Sequence, residues 1–159
     1  MNNLYIMSGP PGCGKSTYIK NHYNPTEDTW VSRDEIRFGY LNDTDDYFQN
    51  EDRVFKEFVK HIQDDLVHGN VYADATHLNE RSRNKLLRNL DLRNVKVYVI
   101  QFFVPFKVCW ERNKKRDGRS VVPKGVLRRM WFSQADARAD SGLYPFEVIT
   151  IEEEGGRQF

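Results

Sequence analysis

The stretch that most constrains the fold is "GPPGCGKS", residues 9–16, which follows the apolar run "LYIMS". It fits the pattern G-x-x-x-x-G-K-[ST], the phosphate-binding P-loop. This pattern is informative when a strand precedes it and a helix follows it, and we predict both here: a strand over residues 4–8 and a helix beginning near Lys15. The sequence therefore predicts an α/β fold whose first turn binds phosphate.

Each fixed position of this loop has a physical reason. Glycines let the backbone turn its N–H groups towards phosphate oxygens without a Cβ in the way, and the following helix adds the positive end of its dipole. Lys15 can reach the β- and γ-phosphates, and the Ser16 hydroxyl can ligate Mg²⁺. We therefore predict that ATP, or another NTP, binds with Mg²⁺. The predicted nucleotide-binding residues are Gly9, Pro10, Pro11, Gly12, Cys13, Gly14, Lys15, Ser16 and Thr17.

The rest of the chain alternates short β-rich segments with helical ones. Further strands are predicted at "TWVS", "NVYADA", "VKVYVIQFFV" and "FEVITI", and apolar residues at helical spacing predict a long helix over residues 47–68. Such alternation indicates a parallel sheet covered by helices. We predict an α/β, P-loop NTPase-type three-layer sandwich, with a parallel sheet of about five strands and helices on both faces. No repeat or linker divides the sequence, so we expect residues 1–159 to form a single domain.

Composition argues against several classes of protein. No apolar run approaches the roughly 20 residues that span a bilayer, and the N-terminus lacks a secretory-signal pattern. The two cysteines are too few for a disulfide framework and lack metal-ligand spacing, so we expect no structural metal and a cytoplasmic location. The guanine-binding motif N-K-x-D is also absent, which argues against a switch GTPase.

Charge is distributed unevenly behind a net charge of +1. Residues 27–65 contain twelve acidic and five basic side chains, whereas residues 105–129 contain nine basic and two acidic ones. A locally basic segment suits a polyanionic ligand bound at one place, while we expect the acidic segment to be solvated surface. The small net charge argues against coating of long nucleic acid strands, but an enzyme that holds only a strand end needs few phosphate contacts.

A phosphotransferase needs a group that orients and deprotonates the acceptor hydroxyl. Asp34 in "VSRDEIR" is the candidate, because it follows the second strand at the sheet edge where open α/β sheets bind ligands. Arg37, one helical turn later, lies on the same face and could bind an acceptor phosphate with its bidentate fork. The alternative is an exposed Asp–Arg helix pair, worth only a few tenths of a kcal/mol. Arg33 stays unassigned.

The third predicted strand leads into "ADATHLN". Asp74 at its end could support Mg²⁺ through a water molecule, or orient arginines. Thr76 and Asn79 follow where the acceptor would lie, and Asn79 is also a plausible N-cap of the next, basic helix. A lone histidine at such a turn, here His77, is more often a cap or a packing residue than a functional one.

The basic segment carries Arg112 and Arg116, spaced i, i+4 at the end of a predicted helix and followed by a loop with Gly118. This arrangement is typical of a mobile lid, here over residues 112–123, whose arginines close over the triphosphate and neutralise the transition state. The alternative is a solvated basic helix end favoured by the helix dipole. With Lys15 and Asp34, the two lid arginines complete the predicted catalytic set.

Four segments together resemble one family: "GPPGCGKST", "SRDEIR", "DATHLNERSR" and "ERNKKRDGRSVVPKGVLRRM" are similar to the kinase domain of phage-type polynucleotide 5′-kinases, within the small P-loop kinases. The resemblance implies transfer of the NTP γ-phosphate, with Mg²⁺, to the 5′-hydroxyl end of DNA or RNA. No phosphatase signature of the D-x-D-G-T type is present, so it implies the kinase activity alone.

The resemblance also implies roles for individual residues. Lys15 and Ser16 would bind phosphate and metal, Asp34 would be the general base, Arg37 would bind the acceptor's 3′-phosphate, and Arg112 and Arg116 would be lid arginines. The family's acid in the third segment aligns with Asp74 or one position later, at Ala75, while Thr76 and Asn79 match.

Two other functions fit the same residues. One is a P-loop kinase that phosphorylates a small molecule or a modified nucleoside, and the other is a nucleotide-binding module without phosphotransfer. A nucleic acid acceptor predicts an open, basic groove leading to Asp34, whereas a small-molecule kinase predicts a closed pocket.

Overall fold

The computed structural model describes residues 1–40 and 50–159. Its strands are β1 (Asn2–Ser8), β2 (Asp28–Ser32), β3 (Asn70–Asp74), β4 (Val95–Phe103) and β5 (Glu147–Glu152). Its α-helices are α1 (Lys15–His22), α2 (Arg33–Tyr40), α3 (Glu51–Leu66), α4 (Glu80–Leu87), α5 (Phe106–Lys114) and α6 (Lys124–Ser133). Neighbouring strands all run parallel, in the order β2-β3-β1-β4-β5. The predicted five-stranded parallel α/β fold is confirmed.

Two apolar clusters show that helices cover both faces of the sheet. On one face, α3 and α4 bury Phe58, Ile62 and Leu86 against strand residues such as Ile6. On the other face, the buried side chains of α1, α5 and α6 pack with Phe102 and its neighbours in β4. This is the predicted three-layer arrangement.

The boundaries differ from the predicted ones by a few residues. β1 begins two residues earlier than predicted and β2 one residue earlier. Within the helix predicted over residues 47–68, the structure contains α3, Glu51–Leu66. Residues 41–49, which belong to the acidic segment, lie outside the described residues. The segment "VKVYVIQFFV" contains β4, an interior strand between β1 and β5, and β1 is the middle strand of the sheet.

β2 and β3 lie on one side of β1 in the sheet, and β4 and β5 lie on its other side. The direction in which the chain adds strands to the sheet therefore reverses at β1. In open parallel sheets such a reversal opens a crevice at the carboxyl ends of the strands, and ligands bind there. Residues 9–14 follow β1 at this point, so the fold places the predicted phosphate loop in the crevice.

No helix in the described part of the chain is long and apolar enough to cross a membrane.

Candidate active site

The phosphate loop adopts a backbone that only glycine accepts at two positions. Gly14 has φ 105° and precedes α1 as its N-cap, while Gly12 has φ 82°. A Cβ at Gly12 would also overlap the carbonyl oxygen of Cys109 in α5. The loop is therefore closely packed against α5 as well as conformationally restricted.

The cationic group of Lys15 lies inside the loop. Its Nζ donates to the carbonyl oxygens of Gly9 at 2.6 Å and of Pro10 at 3.1 Å. Ser16 and Thr17 are exposed in the first turn of α1, where backbone N–H groups have no intrahelical acceptors and favour anions. The arrangement is suited to holding a polyphosphate.

The loop is fastened to the segment that follows β3. The backbone N–H of Gly9 donates to the carbonyl of Thr76 at 2.8 Å, and the Ser8 hydroxyl donates to the carbonyl of His77 at 2.8 Å. His77 is buried and its Nδ1 lies 2.8 Å from the carbonyl oxygen of Met7, while burial lowers the pKa of His77 to about 3. His77 is thus a neutral packing residue that connects β1 to this segment.

The carboxylate of Asp34 lies between two arginines, one three residues later in the chain and the other 82 residues later. Its Oδ1 accepts a hydrogen bond from Nη1 of Arg37, and its Oδ2 lies 3.4 Å from Nη2 of Arg116. Asp34 follows β2 by two residues, and Arg116 lies two residues beyond α5. The structure therefore brings the predicted base and one predicted lid arginine together.

Arg37 is buried, with 6% of its surface exposed. Its Nε and Nη2 donate to the two carboxylate oxygens of Glu51 at 2.7 and 2.8 Å, and Nη2 of Arg33 donates to the same carboxylate at 3.2 Å. Glu51 therefore holds both arginines that flank Asp34. Sequence reasoning missed Glu51, because it lay among the acids expected to be solvated and no motif distinguishes it.

Asp74 lies at the end of β3 in the same electrostatic neighbourhood. Its Oδ2 accepts a hydrogen bond from Nε1 of Trp30 at 2.9 Å. Burial raises the pKa of Asp74, while the nearby charge of Lys15 and the Trp30 hydrogen bond oppose this rise and the charge of Asp34 adds to it. Asp74 thus lies within electrostatic range of Lys15 in the phosphate loop and of the predicted base, Asp34.

Arg112 lies over the phosphate loop. Its Nη1 is 3.4 Å from the carbonyl oxygen of Gly12, and its Nη2 pairs with Glu153, just beyond β5, at 2.8 Å. The far end of the predicted lid, residues 112–123, is held against α5. The side-chain amide of Asn113 in α5 donates to the carbonyl of Val122 at 2.7 Å and accepts from the N–H of Val122 at 3.0 Å. The two predicted lid arginines thus face different parts of the site.

Asn79 is the N-cap of α4, as predicted. Its Oδ1 accepts from the N–H of Ser82 at 3.1 Å and the Ser82 hydroxyl lies 3.2 Å from the N–H of Asn79, which forms a capping box. This accounts for the side-chain oxygen of Asn79 and leaves its NH₂ group as the donor for any ligand. Thr76 contacts the phosphate loop through its backbone carbonyl, and within residues 1–40 and 50–159 no hydrogen bond of its side chain is found.

A buried arginine that sequence reasoning did not single out supports both loops. Arg83 of α4 is fully buried, and its Nε and Nη2 donate to Asp140 at 2.8 and 2.7 Å. Its Nη1 lies 3.1 Å from the carbonyl oxygen of His77 and 3.4 Å from the hydroxyl of Ser8. Arg83 therefore connects the root of the phosphate loop to the segment after β3.

The residues fit a magnesium ion bound mainly by nucleotide phosphates. In residues 1–40 and 50–159, no group of three or more histidine, cysteine, aspartate or glutamate side chains could hold a metal ion. Mg²⁺ in phosphotransferases keeps waters and takes one or two protein oxygens plus phosphates. The Ser16 hydroxyl, exposed in the first turn of α1, would be the protein oxygen available to such an ion.

A family model described as an AAA domain matches residues 4–137. The chain belongs to this family. The match to the AAA domain model runs from β1 to just beyond α6 and thus includes the phosphate loop, Asp34 and both lid arginines. No curated protein sequence matches the chain.

Solved structures share the fold of this AAA domain chain. A chain of the Pnkp1/Rnl/Hen1 RNA repair complex is 24% identical with a TM-score of 0.72, and the match covers 92% of this chain and 47% of that one. A fungal RNA kinase is 16% identical with a TM-score of 0.64, covering 95% and 74%. A gluconokinase from Sinorhizobium meliloti 1021 is 15% identical with a TM-score of 0.60, covering 95% and 83%.

These identities are below 25%, so the likeness shows the fold alone. The chain has the P-loop kinase fold, which binds an NTP, and this fold occurs in an RNA kinase as well as in a gluconokinase. The chain also spans less than half of the matched chain from the RNA repair complex. The choice of acceptor therefore has to be argued from the site itself.

Proposed function

We propose that this chain is a polynucleotide 5′-hydroxyl kinase, which transfers the γ-phosphoryl group of ATP or another NTP to the 5′-hydroxyl end of DNA or RNA. The observation that carries the proposal is the contact between Asp34 and Arg116, 82 residues apart. Both residues lie within electrostatic range of Asp74, as does Lys15 of the phosphate loop. A carboxylate, a guanidinium group and a phosphate loop are parts that enzymes use, together with Mg²⁺, for phosphoryl transfer to a hydroxyl.

The roles follow from charge and position. Lys15 and the first turn of α1 would hold the β- and γ-phosphates. Asp34 would accept the proton of the attacking 5′-hydroxyl as the new O–P bond forms and the bond from the γ-phosphorus to the bridging oxygen breaks. Arg116 and Arg112 would neutralise charge on the transferring group. Mg²⁺, held by the Ser16 hydroxyl and the phosphates, would supply further charge neutralisation, and Asp74 would act on it through water.

The acceptor side would be formed by Arg37, Thr76 and Asn79. Arg37 is the proposed ligand of the acceptor's 3′-phosphate. This phosphate would replace the Glu51 carboxylate on Nε and Nη2 of Arg37. The replacement is possible because a phosphate presents two oxygens in the same geometry as a carboxylate. Thr76 follows β3 beside the phosphate loop, and the NH₂ group of Asn79 would donate to the acceptor. Such an enzyme would act in nucleic acid end repair in the cytoplasm.

The test is transfer of label from γ-labelled ATP, with Mg²⁺, to a single-stranded 5′-hydroxyl oligonucleotide. We expect transfer by the wild type and at least a hundredfold lower kcat for Asp34→Asn, in line with the usual contribution of a general base. Asp91→Asn is the matched control, because Asp91 pairs with Arg93 at the surface and should retain wild-type activity.

The acceptor panel decides between the proposal and its alternative. The same assay would include a nucleoside without phosphate and a sugar acid. Transfer to one of these but to no oligonucleotide would replace the proposal with a small-molecule kinase. Nucleotide binding without transfer to any acceptor would leave only a nucleotide-binding module.

The lid arginines have a separate test. Arg116→Ala should lower kcat by about a hundredfold or more while changing the KM of the acceptor much less, because Arg116 would act on charge that develops in the transition state. Arg93→Ala is the control of equal charge change. An unchanged kcat in Arg116→Ala would remove Arg116 from the catalytic set.

A further inference from the structure

The outer side of α4 carries three exposed cations that the proposed chemistry does not use. Arg81 and Lys85 belong to α4, and Arg88 is its C-cap with helical backbone angles. All three are exposed and are spaced i, i+4 and i+7, so they lie along one face of the helix. At a rise of 1.5 Å per residue, this face spans about 10 Å along the helix axis. The opposite face, with Arg83, Leu86 and Leu87, is buried.

This basic face leads away from the proposed acceptor site. Helix α4 begins after the carboxyl end of β3, immediately beyond Asn79. Of the three cations, Arg81 is therefore the nearest to the proposed acceptor site. Midway along, Nζ of Lys85 lies 4.4 Å from the ring centroid of Phe55 in α3. The guanidinium of Arg33, the residue before Asp34, lies 5.4 Å from the same ring.

The ring of Phe55 thus contacts both Lys85 of α4 and Arg33, the chain neighbour of Asp34. A cation over an aromatic ring is attracted by its quadrupole, which favours this position of Lys85 over a freely solvated one. The acid in the first turn of α4 points elsewhere: Glu80 accepts hydrogen bonds from the backbone and hydroxyl of Ser141. On the proposed acceptor side, Glu51 is engaged by Arg33 and Arg37.

We infer that the face formed by Arg81, Lys85 and Arg88 is a second binding subsite, which takes the downstream phosphates of a single-stranded polynucleotide acceptor. This inference rests on the proposed function and deepens it, since it states how a strand longer than one nucleotide is held. A row of exposed cations attracts a regularly charged polyanion and releases its counterions. A small acceptor held at Asp34 would not reach along α4.

The subsite is tested with acceptors of increasing length. With the wild type, we expect KM to fall from a nucleoside 3′-monophosphate to a 5′-hydroxyl oligonucleotide of about six nucleotides, and then to level off. In the triple variant Arg81→Gln, Lys85→Gln and Arg88→Gln, which keeps good helix formers, KM for the six-nucleotide acceptor should rise about tenfold. Its kcat with that acceptor should stay within a factor of about two.

Salt dependence adds a readout that a folding defect would not produce. Each phosphate contact with a single strand contributes about 0.7 to the slope of log affinity against log salt, so the triple variant should lose about 2 from the slope. Lys20→Glu is the control, because Lys20 is exposed on α1, which covers the other face of the sheet. It should keep both the wild-type length dependence and the wild-type slope.

The outcomes separate this inference from the proposed function. If the wild type phosphorylates the mononucleotide and the oligonucleotides with one KM, or if the triple variant keeps the wild-type slope, the subsite is refuted while the kinase activity stands. If no oligonucleotide or nucleotide is phosphorylated by the wild type, the proposed function fails and the subsite fails with it.

Discussion

Replacing Arg83 tests whether one buried ion pair supports the whole site. The guanidinium of Arg83 is fully buried, and the side chain of its partner Asp140 is 6% exposed. Removing one member of such a pair leaves the other charge in a low-dielectric environment without compensation, which costs about 3–5 kcal/mol. The hydroxyl of Ser8 and the carbonyl of His77 would lose a donor as well.

The expected effect is large on the scale of a small protein. Arg83→Met should lower the free energy of unfolding by about 4 kcal/mol, from a total that is typically 5–15 kcal/mol for proteins of this kind. In a chain of this length each kcal/mol shifts Tm by roughly 2–4 °C, so Tm should fall by about 10 °C. Urea unfolding followed by circular dichroism measures the first quantity, and a thermal scan measures the second.

A double variant separates the ion pair from the packing of the arginine stem. Arg83→Met with Asp140→Leu removes both charges, and it should recover at least half of the lost stability, since a buried pair replaced by apolar groups of similar volume is often neutral. The coupling energy between the two positions should reach about 2 kcal/mol or more. A loss below about 1 kcal/mol in Arg83→Met, or a double variant no more stable than the single one, would refute this reasoning.

Three further perturbations follow from the site. Between pH 7 and pH 5 the free energy of unfolding should fall by about 2 kcal/mol from His77 alone, because burial lowers its folded pKa to about 3 while the unfolded imidazole takes up a proton near 6.5. The backbone of His77 has φ 39°, which asparagine tolerates, so His77→Asn keeps a side-chain donor and should flatten that part of a pH–stability profile. Gly12→Ala should raise the Kd for ATP more than tenfold, measured by calorimetry, because φ 82° strains an alanine and its Cβ would overlap the carbonyl of Cys109; Gly125→Ala, in open space, should bind as the wild type does. Glu51→Gln should lower the KM of a 3′-phosphorylated acceptor a few-fold and leave the KM of ATP unchanged, because a neutral amide competes less for the arginine fork; a higher acceptor KM would show that the carboxylate positions that fork instead.

The sequence was sufficient to predict a parallel sheet of about five strands with helices on both faces, although not the order of the strands. The motif at residues 9–16 required a strand before it and a helix after it, and parallel strands gather their carboxyl ends at one edge. Asp34 was therefore expected near the phosphate loop from a local pattern and a rule of topology. Its contact with Arg116 was not predicted, because that contact depends on how the segment after α5 folds back over the sheet edge.

Glu51, Glu153 and Arg83 could not be found in the same way. Arg83 and Glu153 owe their positions to the packing of elements that are distant in sequence: Arg83 meets Asp140 57 residues away, and Arg112 meets Glu153 41 residues away. Glu51 meets Arg37 only 14 residues away, but the contact depends on how α2 packs against α3. Charged side chains are mostly at the surface, so a buried arginine in a basic helix has the same sequence pattern as a solvated one. Only the three-dimensional structure distinguishes the two.

The arginines around Asp34 supply positive charge to any acceptor. Competition between Glu51 and an acceptor phosphate for the fork of Arg37 determines which acceptor binds more tightly. Glu51 and an internal phosphodiester each carry one negative charge, so exchanging one for the other on the fork changes the electrostatic energy little, whereas a terminal phosphomonoester, with a charge of about −1.5 to −2, gains more. A preference for a long strand over a mononucleotide must therefore come from contacts beyond Arg37. The exposed cations Arg81, Lys85 and Arg88 are placed to provide them, which is why the length dependence of KM, and not the presence of Arg37, discriminates between acceptor classes.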